Sequence, residues 1–215
     1  MSKKKIGVFG GSFDPPTLAH EKIGQLFLEK IELDEVRFVP VFKNPIKQNY
    51  PINSEHRLNM LSMIVGSCDK FSLSDIELQS DYEYDMNYAL IPSERTPSYT
   101  YNTLRMFKEN EHQAEFIFLG GSDILSKFYQ WHKAESLLKE FNIGIAVRAP
   151  HNQSSTLSPI KPSDRKRITV IEHSTPQISS TDVRKFIQDK EFDKARKLLR
   201  EDVFEYIVNN NLYSM

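Results

Sequence analysis

Apolar positions along the chain follow two rhythms that alternate. Ile6-Gly7-Val8-Phe9 is a short unbroken apolar run that stops at Gly10-Gly11, the form of a strand buried on both faces. From Leu18 the spacing changes. Ile23, Leu26, Phe27 and Ile31 recur at three- and four-residue steps, as on one face of a helix. Val36 to Val41 reads as a second strand, completing one βαβ unit. Ser54 is placed to cap a helix running through Leu58, Leu61 and Val65. Phe71 to Leu78 alternates like a strand, Tyr99 to Asn110 is helical, and Glu115 to Leu119 is a buried strand ending at Gly120-Gly121. Helices are predicted over Ile124–Tyr129 and His132–Glu140, and strands over Ile143–Val147 and Ile168–Ile171. From Ser180 the pattern is helical to near residue 215, with breaks near Glu191 and Leu199.

Strands alternating with helices predict an α/β fold: a Rossmann-like, doubly wound, mainly parallel sheet with a helical C-terminal part. No repeat or boundary divides residues 1–215, so one domain is expected, with about 178–215 as its helical subregion. Two stretches read as irregular: Gln79 to Pro97, rich in tyrosine and acid, and Ala149 to Lys166, rich in Ser and Pro.

Composition narrows the classes. Hydrophobic residues make up 39% of the 215, enough for one sizeable core. The formal net charge of −1 lacks the basic excess of a nucleic-acid binder, so any anion site has to be local. Cys68 is the single cysteine, and the apolar run after Met1-Ser2-Lys3-Lys4-Lys5 is too short for a signal-peptide core or a membrane span. A cytoplasmic protein with no membrane or nucleic-acid partner is expected; its oligomeric state is not readable. His56, His112, His132, His151 and His173 have no metal-site spacing and read as surface or structural residues.

Two segments carry candidate chemistry. Gly10-Gly11-Ser12-Phe13 follows the first strand directly, Pro15-Pro16 stiffens the turn, Thr17 can cap the next helix, and His20 lies on the same face of its first turn. Glycines at a strand's carboxyl end let backbone N–H groups approach an anion, and a helix N-terminus with a histidine suits a phosphate. Ile178-Ser179-Ser180-Thr181-Asp182-Val183-Arg184 opens a second helix. Ser179 or Ser180 can be its cap, and Arg184 returns to the same face, so hydroxyls, N–H groups and a guanidinium converge on a volume suited to a polyphosphate. Alone, either segment is an ordinary glycine turn or a capped surface helix.

Together they carry a resemblance. Gly11, Phe13, Pro15, Thr17 and His20 resemble the Gly-x-Phe-x-Pro-x-(His/Thr)-x-x-His signature of the nucleotidylyltransferase superfamily, and Ile178 to Arg184 is similar to the second signature of its adenylyltransferase branch. Gly120-Gly121-Ser122-Asp123 with Phe128 and Trp131, Ser98 to Leu104, Arg57 with Met60-Leu61, Val147 to Pro150, and Tyr206-Ile207 with Leu212-Tyr213 resemble the nicotinate/nicotinamide mononucleotide adenylyltransferases over nearly the whole chain. Two departures stand out. Pro45-Ile46-Lys47 replaces the family's Pro-His-Lys, and Gln79 to Pro97 intervenes before the Ser-Tyr-Thr segment.

The resemblance implies adenylyl transfer from ATP to nicotinate mononucleotide, with the amide-bearing mononucleotide, another adenylyltransferase or cytidylyltransferase activity, and a non-catalytic nucleotide sensor as alternatives. It implies His20, Lys47 and Arg184 as catalytic residues. ATP is expected on Gly10, Gly11, Ser12, Phe13, Thr17, His20, Gly121, Asp123, Ile178, Ser179, Ser180 and Arg184. The mononucleotide is expected on Lys47, Arg57, Thr100, Trp131 and Arg148. Mg²⁺ is the implied cofactor, held by ATP oxygens and water with no direct protein ligand.

Overall fold

In the computed structural model, residues 3–42, 52–78, 82–84, 90–92, 98–150, 153–175 and 178–214 are described. Six strands form one parallel sheet: β1 (Lys4–Gly11), β2 (Glu35–Pro40), β3 (Phe71–Leu73), β6 (Ala114–Gly121), β7 (Asn142–Arg148) and β8 (Ile168–His173), in the order β3-β2-β1-β6-β7-β8. The strand order reverses between β1 and β6, and in an open parallel sheet that reversal opens a crevice beyond the strands' carboxyl ends. Gly10-Gly11 and Gly120-Gly121 end the two strands that flank it.

The apolar runs are explained by burial on both faces. Ile6 and Val8 of β1 point into one core with Phe116, Phe118, Ile143 and Ile145, over helices α3 (Thr100–Asn110) and α4 (Ala134–Glu140). Phe9 points the other way, into a core with Leu119, Val36 and Phe38, over α1 (Leu18–Lys30), α2 (Ser54–Val65), α6 (Ser180–Gln188), α7 (Phe192–Arg196) and α8 (Glu201–Asn209). Side chains alternate across a strand, so a sheet covered twice needs apolar residues at both parities.

Local details differ from expectation. Asn53, not Ser54, caps α2, its side chain accepting from the His56 N–H at 3.0 Å. The third strand ends at Leu73 rather than Leu78. Ser74 donates to Phe38 O, the last bond of that edge, and a turn closed by Leu78 N–H on Asp75 O at 2.7 Å follows. Ser122–Gln130 is a 3₁₀ helix, and Lys133, in the left-handed region at φ 52°, starts α4 after His132. The tyrosine-rich stretch expected to be irregular contains an antiparallel pair, β4 (Tyr82–Tyr84) and β5 (Leu90–Pro92). The Ser/Pro-rich stretch holds α5 (Gln153–Thr156) and buries Leu157 and Ile160 in the α3/α4-side core.

Candidate active site

The β1–α1 loop is built around a phenylalanine. β1 stays extended through Gly11, and no described glycine has positive φ. The left-handed bend falls on Phe13 at φ 47°, where it costs conformational energy that its packing must offset. Its ring is buried, edge-on to Phe9 at 5.8 Å and tilted on Phe38 at 5.8 Å. A Cβ on Gly11 would sit 2.9 Å from that ring, so Gly11 is required by close approach rather than by its own torsions. Val41 N–H donates to Gly11 O at 3.0 Å, tying the loop to the end of β2.

Arg57, expected on the mononucleotide side, is 1% exposed. One guanidinium nitrogen donates to Ser12 O at 3.0 Å and Val41 O at 2.8 Å. α2 thus delivers a buried cation to the underside of the loop. The carbonyls at Ser12 and Val41 are where a loop running past a strand end needs donors, which is why a buried arginine rather than an apolar residue stands there.

His20 lies half-buried at the start of α1, its ring edge-on to Phe13 at 5.2 Å and tilted on Phe9 at 6.4 Å. The Thr17 N–H donates to His20 Nδ1 at 3.0 Å, and the buried Thr17 hydroxyl lies 2.9 Å from the same nitrogen. Nδ1 is therefore the acceptor and Nε2 carries the proton. Burial lowers the imidazole to about 4. His20 is neutral at pH 7 in the ligand-free protein, because an imidazolium would need a proton on Nδ1 and would lose the Thr17 N–H bond. The helix start contributes less than expected: Leu18 N–H is taken by Leu198 O at 3.0 Å, and His20 N–H by Thr17 O. At this element the histidine, not the row of free N–H groups, is the distinctive donor.

The second segment joins the first. Ser179 is the cap of α6, accepting from Asp182 N–H at 3.0 Å and donating to Asp182 Oδ2 at 2.6 Å. The Ser180 hydroxyl donates to Pro15 O at 2.8 Å. Arg184 donates to Asp14 O at 2.6 Å and to Thr181 Oγ1 at 3.3 Å. Two of the five guanidinium N–H donors are used this way. Residues about 165–170 positions apart in sequence are bonded directly, so the two glycine- and serine-bearing segments form one body at the sheet's carboxyl edge. The Ser179 hydroxyl is spent on the cap of α6 and the Ser180 hydroxyl on Pro15.

Across the crevice, a Cβ on Gly121 would lie 2.8 Å from Asp123 Oδ1, so the carboxylate folds back over the end of β6. Asp123 is exposed and makes no cap bond. Trp131 is half-buried, packed on Phe118 at 5.7 Å and Phe128 at 5.6 Å. Tyr99, which caps α3 just before Thr100, stacks on His132 at 4.5 Å. Arg148, at the exposed end of β7, donates to Thr175 O at 3.3 Å. Lys47, the departure at Ile46, and the side chains of Gln79 to Pro97 lie outside the described residues.

Sequence reasoning passed over a polar group beside these elements. Ser98 Oγ accepts the Phe42 N–H at 3.0 Å, and the Thr103 hydroxyl donates to Glu77 Oε1 at 2.6 Å. Burial pushes the Glu77 carboxyl up, against hydrogen bonds from Thr103, Ser98 and Phe42 and the charge of Arg57. Ser98 and Thr103 carried a sequence signal, as members of the Ser98 to Leu104 segment; Glu77 did not. Among the described residues no three His, Cys, Asp or Glu side chains cluster as a metal site, and no helix is long and apolar enough to cross a membrane.

Comparisons with known proteins bear on the family and the fold. The cytidylyltransferase-like family model matches residues 8–186. A probable nicotinate-nucleotide adenylyltransferase of Exiguobacterium sibiricum is 32% identical over 98% of this chain and 99% of its own. One from Carboxydothermus hydrogenoformans is 32% identical over 99% of this chain and 100% of its own. Among solved structures, the Plasmodium falciparum nicotinic acid mononucleotide adenylyltransferase complexed with NaAD superposes with a TM-score of 0.76 at 27% identity, covering 98% of this chain and 97% of that chain.

Proposed function

The chain belongs to the cytidylyltransferase-like family and, within it, to the nicotinate-nucleotide adenylyltransferases, and on that premise we propose that it transfers the adenylyl group of ATP to nicotinate mononucleotide in NAD biosynthesis, giving deamido-NAD and pyrophosphate. The observation that carries the reading is the direct bonding of the two phosphate elements, Ser180 to Pro15 and Arg184 to Asp14, beside His20 at the mouth of the β1/β6 crevice.

A 5′-phosphate oxygen of the mononucleotide bonds to the α-phosphorus of ATP while the bond to the β-phosphate bridging oxygen breaks, and pyrophosphate leaves with that electron pair. The attacking group is already an anion, so no protein nucleophile or base is needed. The site has to position two phosphates and neutralise charge. His20 does this as a neutral donor through Nε2–H, aimed by Thr17. The backbone of Gly10, Gly11, Ser12 and Phe13, held from below by Arg57, wraps the reacting phosphates, with Gly121 and Asp123 at the facing strand end. Ile178, Ser179, Ser180 and the free donors of Arg184 hold the β- and γ-phosphates. Trp131, Thr100 and Arg148 face the mononucleotide, and Lys47 bridges the two substrates.

Mg²⁺, where bound, would be held through ATP oxygens and water, with the exposed Asp123 available to that water, and would supply charge neutralisation on the phosphates. A cytoplasmic setting fits a chain with one cysteine. The test is pyrophosphate release with ATP and each mononucleotide side by side. Faster turnover with the nicotinate form is expected. A clear preference for the nicotinamide form would overturn the acceptor, and no pyrophosphate from either would overturn the reaction.

A further inference from the structure

We propose that Tyr213 is a positioning residue for ATP, a guard that keeps Asp14 from capturing the Arg184 guanidinium. The inference rests on the proposed function, in which Arg184 grips the leaving phosphates.

Asp14 sits inside the first phosphate loop and is 2% exposed. Its Oδ1 accepts the Tyr213 hydroxyl at 2.6 Å, a bond between buried groups 199 residues apart. Its Oδ2 lies 4.0 Å from Arg184 Nη1, while the same nitrogen donates to the Asp14 backbone carbonyl at 2.6 Å. The carboxylate therefore attracts the guanidinium without a direct hydrogen bond to it. That arrangement is unusual for a buried carboxylate beside an arginine, because the two-pronged pairing of both oxygens with two guanidinium N–H groups is the stronger contact. The Tyr213 hydroxyl occupies the oxygen that such a fork would need. With it in place, Arg184 is tethered at a carbonyl and keeps the rest of its donors for phosphate.

The construction around Tyr213 is specific. The residue follows α8, is 8% exposed, and sits in the left-handed region at φ 63°, a conformation a bulky residue adopts only when its surroundings fix it. Its ring joins the core that also holds Phe13. Ring packing alone would explain a phenylalanine at 213. The hydroxyl is the part that reaches the phosphate loop.

A kinetic cycle on the full chain separates guarding from packing, using wild type, Tyr213→Phe, Arg184→Ala and the double variant. Tyr213→Phe keeps the ring and removes the hydroxyl's bond to Asp14 Oδ1. We expect its KM for ATP to rise about tenfold with KM for the mononucleotide unchanged, a shift within the coupling measured between contacting residues. In the Arg184→Ala background the same change should add nothing to KM for ATP, because the group being guarded is gone. Additive effects, a parallel rise in both KM values, or a lower Tm with unaltered kinetics would each overturn the guard. Should Tyr213→Phe fail to fold, Tyr213→His, which keeps a ring N–H donor, enters the cycle, and near-wild-type KM for ATP is then expected. A wild type that releases no pyrophosphate would sink the proposed reaction instead; ATP titration of the same four proteins then reads the guard as a Kd, with the same pattern expected and the same additivity fatal to it.

Discussion

The sides of the crevice proposed for the phosphates and for the mononucleotide are built on different principles. On the phosphate side, named polar groups are spent on the protein itself: Arg57 on Ser12 and Val41, Ser180 on Pro15, Arg184 and Tyr213 on Asp14, Thr17 on His20. On the side proposed for the mononucleotide the described groups include aromatic faces, Trp131 on Phe118 and Phe128 and Tyr99 on His132, beside the Ser98 and Thr103 polar contacts and the exposed Arg148 at the strand end. The difference follows from what each must recognise. A triphosphate needs donors fixed in advance, since reorganising them during reaction would cost what they supply. A heteroaromatic ring needs a flat apolar surface, which tolerates more play.

Breaking the comparison starts where the effect is largest. Arg57→Met removes two buried bonds at similar volume and leaves the Ser12 and Val41 carbonyls without this donor. A loss of about 4 kcal/mol in unfolding free energy is expected from denaturant titration. A small loss with a raised KM for the mononucleotide alone would return Arg57 to that substrate.

Next is the neutrality of His20. Its folded-state value of about 4 lies below the ordinary 6.5, so between those values the unfolded chain binds the proton and the folded protein does not. The contribution is complete above pH 6.5 and is lost as pH falls toward 4, by roughly 3 kcal/mol in all. His20→Gln should show a shallower fall in stability across that window than wild type. Equal slopes would mean that His20 titrates as freely as in a peptide.

His20→Ala, in folded protein, should lower kcat by about a hundredfold, the scale of one preorganised donor. Near-normal turnover would remove His20 from the reacting centre. The smallest effect is expected across the crevice: Trp131→Ala should raise KM for the mononucleotide about tenfold, as for loss of one stacking face, and leave KM for ATP unchanged. A rise in both would place Trp131 in the core rather than at the ring.

Much of this was legible in one dimension. The run Ile6–Phe9 ended by Gly10-Gly11, its partner Phe116–Leu119 ended by Gly120-Gly121, and the helical spacing from Leu18 mark a doubly wound sheet because burial on both faces leaves no room for polar residues. Thr17-x-x-His20 and Ser179 to Arg184 mark two helix starts because caps are local. Strand ends and cap choices were misjudged by a few residues, as at Asn53 and Leu73, where a partner's carbonyl or a competing cap decides.

What the chain determined by itself is therefore the alternation of elements and the residue types at two phosphate motifs, both set by interactions within a few residues. Only the tertiary structure decided the use of those residues. It buried Arg57 as a brace on Ser12 and Val41 and committed the Ser180 hydroxyl to Pro15. It also held His20 neutral by burial and brought Tyr213 onto Asp14 across 199 residues. Hydrogen bonds between distant segments leave no periodicity in a sequence; they exist only once the sheet has placed both partners at the same edge.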